Sequence, residues 1–247
     1  MLYIGGRLVR LLHLVPKKTY DERMSRDRFQ QVDAIARQVY VHTSGPGWPD
    51  WISPAPVLNL VIEHQPDLIL VYDLLLESDE SEHMESLPPR CVVIKEGYQR
   101  QKVRQVLEGN AARFVVFMHE NVLDEWSDYA TREHGCFLAH LPHCAEHRLY
   151  PDPTLGFHER PWDVTVIGNM NATYYPHRVR LRDLTLKVLK KRGYYVRVLK
   201  HPGYRRPAPD GTYAEADYAR ELSLSKIVLS CSGHQRAAFL KYVEGPM

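Results

Sequence analysis

Short apolar runs punctuate this chain at intervals, and helical patterns separate them. Residues Leu8 to Val15 read as a first strand, and Arg26 to Gln38 as a helix, with Phe29, Val32, Ile35, Ala36 and Val39 at helical spacing. Val39-Tyr40-Val41-His42 reads as a second strand. The loop that follows, Thr43-Ser44-Gly45-Pro46-Gly47-Trp48-Pro49, is too rich in Gly and Pro to be helix. Pro56 to His64 is a short helix, and Leu68-Ile69-Leu70-Val71-Tyr72 is a continuous apolar strand of the kind buried on both faces. Strands at Cys91–Ile94, Phe114–Met118 and Phe137–Ala139 alternate with helices at Gln101–Glu108 and Leu123–Arg132, the last stopped by Gly135. Such alternation predicts an α/β fold: a mostly parallel sheet with helices on both faces.

The stretch from Leu141 to Asn169 then breaks the rhythm. Pro142, Pro151, Pro153 and Pro161 suit a linker that forms no regular element. Beyond it, Val164-Thr165-Val166-Ile167 stops at Gly168-Asn169, and a long amphipathic segment runs from about Arg178 to Lys191. Strand, Gly turn, helix is the opening of a Rossmann-like unit. A strand at Tyr194–Leu199, a helix at about Ala214–Leu224, a strand at Ile227–Ser230 and a helix from Arg236 to Val243 complete the pattern. The expectation is therefore two α/β units joined by a hinge, with ligands at strand carboxyl ends and at the domain junction.

Composition limits the function. A hydrophobic share of 44% suffices for a core, and a net charge of +2 over 247 residues gives no support for broad nucleic-acid binding. No apolar run is long enough for a transmembrane segment, and the N-terminus, which carries Arg7, Arg10 and His13, lacks a signal-peptide pattern. The four cysteines form no CxxC pair and read as reduced, mostly buried thiols of a cytoplasmic protein. The acidic stretch Glu77 to Glu85 reads as a solvated loop.

Several residues stand where chemistry is done. The backbone of Gly168, Asn169, Met170 and Asn171, between a strand and a helix, can meet a diphosphate, although an ordinary βα turn has the same look. Arg178 opens the long helix, and Lys200 and His201 close the next strand, so all three converge on one edge of a parallel sheet and suit an anionic leaving group. Arg180 and Arg182 read as a solvated helix face. His119 closes a strand of the first unit and is a candidate catalytic base, the alternative being a surface-loop histidine. His134, His140, His143, Cys144 and His147 cluster without a complete ligand pattern, and no metal site is expected there.

The chain resembles the GT-B glycosyltransferases, and more closely their spore-maturation-type branch (glycosyltransferase family 1-like). Four stretches carry the resemblance: Gly45-Pro46-Gly47-Trp48 with Pro66-Asp67-Leu68-Ile69; Leu141-Pro142-His143-Cys144-Ala145-Glu146-His147-Arg148-Leu149-Tyr150-Pro151; Trp162-Asp163-Val164-Thr165-Val166-Ile167-Gly168-Asn169; and Ser225–Ser230 with Lys241-Tyr242-Val243-Glu244. It implies two Rossmann-like domains: an N-terminal acceptor-side domain over residues 1–150, a linker over 151–161 and a donor domain over 162–247. It also implies a transfer without metal or other cofactor, from a nucleotide-sugar donor to an unknown acceptor. Donor-binding residues would be Gly168, Asn169, Asn171, Arg178, Lys200, His201 and Glu244, with Glu244 on the ribose hydroxyls, a pairing that a carboxylate's two acceptor oxygens suit. Two departures accompany it. Arg236 stands where retaining relatives carry an acid, and the chain stops soon after Glu244, so the donor domain is expected to lack its last elements. The competing expectation is a non-catalytic module that holds a nucleotide or sugar, or an inactive fragment of a longer transferase.

Overall fold

A computed structural model describes residues 1–22, 27–72, 87–95, 97, 99–110, 112–142, 155–201, 203 and 215–231. The chain divides into two compact units, Met1–Asp21 with Gln31–Pro142, and Glu22–Gln30 with His143–Met247.

The first unit opens with two two-residue strands, β1 (Tyr3–Ile4) and β2 (Arg7–Leu8), paired antiparallel around Gly5-Gly6. In chain order follow β3 (Arg10–Leu14), α1 (Lys17–Glu22), α2 (Asp27–Ala36), β4 (Tyr40–Ser44), α3 (Pro56–His64) and β5 (Leu68–Tyr72), of which Glu22 and residues 27–30 cluster with the second unit. After them come β6 (Arg90–Ile94), α4 (Arg100–Asn110), β7 (Phe114–Phe117), α5 (Leu123–Asp128) with a π-helical turn over Tyr129–Glu133, and β8 (Phe137–His140). Six strands form one parallel sheet in the order β4-β3-β5-β6-β7-β8. The order 3-2-1-4-5-6 of the dinucleotide-binding fold would put the third strand outside the second. Here β5 lies on the other side of β3 from β4, so the order reverses between β3 and β5.

The central strands β5 and β6 are buried on both faces, which is why they lack a polar alternation. Leu12, Leu14, Ile69, Val71, Val92, Ile94, Val115 and Phe117 point one way and pack with Val57 and Leu60 of α3, Val103, Val106 and Leu107 of α4, and Trp126 of α5. Leu11, Leu70, Tyr72 and Val93 point the other way and pack with Val32 and Ile35 of α2. The buried Tyr72 hydroxyl donates to Gln31 Oε1 at 2.9 Å, so the ring contributes its area without stranding its oxygen.

The second unit holds β9 (Trp162–Val166), α6 (Pro176–Leu189), β10 (Val196–Val198), α7 (Glu215–Ser223) and β11 (Ser225–Leu229). Its sheet is parallel and three-stranded, in the order β10-β9-β11. Ile167, Leu199, Tyr218 and Leu222 form its apolar cluster and fasten α7 to the sheet. Pro176 in the first turn starts α6 where its missing N–H costs nothing, and Gly193, with φ of 82°, ends the tail of that helix in the left-handed region.

A polar network crosses this small sheet. The Thr165 and Ser225 hydroxyls are 2.6 Å apart, and Arg197 Nε donates to Thr165 Oγ1 at 3.3 Å. The same guanidinium lies over the Trp162 ring and pairs with Glu221 Oε2 at 2.5 Å. At the amino edge, Asp163 accepts from the Tyr195 N–H and from Lys226 Nζ, both at 2.8 Å. Those bonds, the Lys226 one foremost, hold the Asp163 carboxyl below its ordinary value.

The expected α/β class and the separate sheets are present. Element bounds agree with the sequence reading to within a few residues, and to the residue for α3 and β5. The second half of the Leu123–Arg132 segment is π-helical rather than α-helical. The acidic stretch 77–85, the proline-rich stretch 143–154 and the helix expected at 236–243 lie outside the described residues.

Candidate functional site

In the second unit, three chain segments emerge side by side at the carboxyl edge of the sheet. The Ile167 N–H donates to Leu229 O at 3.0 Å and the Leu199 N–H to Val166 O at 2.9 Å, so β9, β10 and β11 end level with one another. The order β10-β9-β11 reverses between β9 and β11, the position where open α/β sheets bind ligands.

The centre of this edge is a contact between Gly168 and Arg178. Gly168 has φ of +99°, and a Cβ there would lie 2.6 Å from Arg178 Nη1. The glycine thus answers two demands, a left-handed turn and room for a guanidinium. Arg178, in the first turn of α6, is only 3% exposed. Its Nη1 donates to Asn169 O at 3.1 Å and its Nη2 to Cys231 O at 2.6 Å, tying the segment after β9 to the segment after β11. The Tyr175 ring covers it, 4.4 Å from Cζ to centroid.

Burying a guanidinium is costly unless charge and donors are matched. Among the described residues no carboxylate pairs with Arg178, and its Nε is buried without a hydrogen-bond partner. Ser230 Oγ, one residue before Cys231, is also buried and unpartnered among the described residues. Among the described residues this edge therefore has a positive charge without a carboxylate partner and two buried polar atoms, Arg178 Nε and Ser230 Oγ, without hydrogen bonds.

The other expected donor residues differ in role. Asn169 Oδ1 accepts from the Asn171 N–H, and Asn171 Oδ1 from the Thr173 N–H, both at 2.9 Å. Each is an Asx turn, so these carbonyl oxygens shape the loop into α6. Lys200 is exposed just past β10, and beside it His201 Nδ1 accepts from the Gly203 N–H at 2.9 Å. The structure thus brings Gly168, Asn169 and Arg178 into direct contact. It sets Asn171 on the same loop, and Lys200 and His201 at the end of the neighbouring strand. Glu244 lies outside the described residues, as do His143, Cys144 and His147.

His119, the expected base, follows β7 in the first unit and is 3% exposed. It is neither a surface-loop histidine nor an open one.

The sequence reading passed over one further group. His42 on β4, Asp50 in the following loop and His64 at the end of α3 come together in the first unit. Desolvation and the neighbouring His42 hold His64 below the ordinary imidazole value. Burial pushes the Asp50 carboxyl up, but bonds from Ser44 and His42 outweigh it, and the net shift is downward. No local motif announces this group, because a strand, a loop and a helix each supply one member.

No family model, curated protein or solved structure matches this chain. Among the described residues no helix is long and apolar enough to cross a membrane.

Proposed function

We propose that the chain is a GT-B-type, glycosyltransferase-like protein with two Rossmann-like units, whose second unit takes a nucleotide-sugar donor without metal for transfer to an acceptor of unknown class. The observation that carries this reading is the buried guanidinium of Arg178, uncompensated by any described carboxylate, at the strand-order reversal and in the first turn of a long helix. A diphosphate is the complementary group: it brings negative charge to the positive end of α6, where the buried guanidinium acts through its field rather than by direct contact. In the transfer, charge accumulates on the departing nucleoside diphosphate. A fixed cation nearby, with the mobile ammonium of Lys200, lowers the energy of that state more than that of the bound donor. Glu244 is assigned to the ribose hydroxyls on the resemblance alone.

One observation favours a second reading, a module that binds a nucleotide or sugar without chemistry. His119 is buried, whereas a base must reach the hydroxyl from which it takes the proton.

Thermal shift with nucleoside mono- and diphosphates, followed by release of nucleoside diphosphate from a panel of nucleotide sugars, tests both. The transferase reading expects diphosphates to raise the melting temperature more than monophosphates, slow release without acceptor, and a loss of about 1.5–3 kcal/mol of affinity in Glu244→Ala. Binding without release selects the module. If no nucleotide shifts the melting temperature, both readings fail.

A further inference from the structure

The first unit contains a separate constellation, independent of the donor reading. His42 and Ser44 are two apart on β4 and so project from the same face of that strand. Asp50 sits in the Gly/Pro-rich loop that follows, and His64 is the last residue of α3. His42 Nε2 and Asp50 Oδ2 are 2.7 Å apart, and Ser44 Oγ donates to Asp50 Oδ1 at 2.7 Å. The His42 and His64 rings are stacked, with centroids 3.7 Å apart and planes inclined by 21°. One ligand atom from each of His42, Asp50 and His64 lies within 4.8 Å of the other two.

A hydrogen-bonded pin of the loop onto β4 would need only His42, Ser44 and Asp50. It leaves His64 unexplained. That imidazole is half-buried, and among the described residues it makes no hydrogen bond. Its nearest charged partner is Glu63, 3.9 Å away on an exposed side chain. The three side chains together offer two imidazole nitrogens and a carboxylate oxygen within reach of one another.

We propose that His42, Asp50 and His64 bind a divalent transition-metal ion of the zinc class, with the fourth coordination position open to solvent. Two imidazole nitrogens and one carboxylate oxygen suit that borderline cation, and three protein ligands are the number found where a fourth position is kept for water. A tetrahedral ion with bonds of about 2.0–2.1 Å holds its ligand atoms roughly 3.3–3.5 Å apart. Reaching that spacing requires the His42–Asp50 contact to lengthen from 2.7 Å and the stacked rings to splay. The Ser44 hydroxyl occupies Asp50 Oδ1 and so leaves Oδ2 for the metal, an outer-sphere bond that fixes the ligand's orientation.

The test uses the full chain, stripped with a chelator and dialysed. Zn2+ binding is followed by calorimetry and Co2+ binding by visible absorption. The expected result is Zn2+ bound at this site, a tetrahedral Co2+ spectrum without thiolate-to-metal charge transfer, and Zn2+ affinity at least ~10-fold weaker in His64→Gln and in Asp50→Asn. The missing thiolate band separates this site from any that uses Cys144. His64 makes no hydrogen bond among the described residues, so His64→Gln keeps the fold, which far-ultraviolet circular dichroism checks. A wild-type chain that takes up no Zn2+, or a His64→Gln variant that binds it as tightly as wild type, overturns the proposal.

Discussion

Substituting Gly168 by Ala probes the contact on which the candidate site is built. A methyl group at this position enters the space of the Arg178 guanidinium, 2.6 Å from Nη1. The far end of an arginine normally moves aside at little cost. This one is 3% exposed and tethered to the Asn169 and Cys231 carbonyls, so moving it breaks bonds. Holding an L-residue at this backbone angle costs about 1–2 kcal/mol. Losing one guanidinium–carbonyl bond adds about 2 kcal/mol, for a total near 3–4 kcal/mol. Arg178→Met, which removes both bonds and leaves the carbonyls unsatisfied, is expected to cost about 3 kcal/mol. If the clash is the mechanism, the two costs overlap. Once the guanidinium is gone, Gly168→Ala retains only its backbone penalty, and the double variant loses about 4–5 kcal/mol rather than 6–7. Hydrogen exchange of the β9 amides, followed against urea, reads the stability of this unit without assuming that the whole chain unfolds in one step. Additivity of the two substitutions within ~0.5 kcal/mol would refute the argument.

Two other predictions concern the second unit. Glu221→Gln leaves the Arg197 charge, whose side chain is 15% exposed, without its partner; the loss is expected to be about 2–3 kcal/mol, seen as faster exchange of the α7 and β10 amides, and a change below ~0.5 kcal/mol would mean that the pair is idle. Asp163, held down by Lys226 and the Tyr195 N–H, contributes stability that is fully present above its unfolded value, near 3.8, and is lost as pH falls through its lower folded value; in a carboxyl NMR titration Asp163 should titrate below 3.8 and return toward it in Lys226→Met, and a wild-type midpoint at or above 3.8 contradicts this.

Periodicity revealed most of the first unit because its central strands are buried on both faces. Leu68–Tyr72 is apolar at every position, and Pro56 and His64 bracket a helix whose limits are local. The N-terminal hairpin escaped because its strands are two residues long, too short for any period, although Gly5-Gly6 is a hairpin turn signal. At the site, Gly168 was legible as a turn after a strand. The role of Arg178 was not: its place at a helix start suggests an open charge, whereas the fold turns it inward under the glycine. His42, Asp50 and His64 were illegible for a related reason, since only the packing of α3 beside the parallel strands brings the two ends of that segment together.

The position of β3 affects how the chain can assemble on a ribosome. β3 is synthesised before the other five strands of its sheet, yet it ends in the interior, with Leu12 opposite His42 on one side and Ile69 on the other. Neither neighbour exists when β3 emerges. Its first partner is complete only at Ser44 and its second only at Tyr72, and the rest of the sheet then extends in one direction through β6, β7 and β8. An all-parallel sheet offers no hairpin as a provisional partner, because every pairing waits for a crossover. The growing chain must therefore carry Leu11, Leu12 and Leu14 unburied for two crossover lengths. During that interval the nascent first unit is most exposed to chaperones and to mispairing.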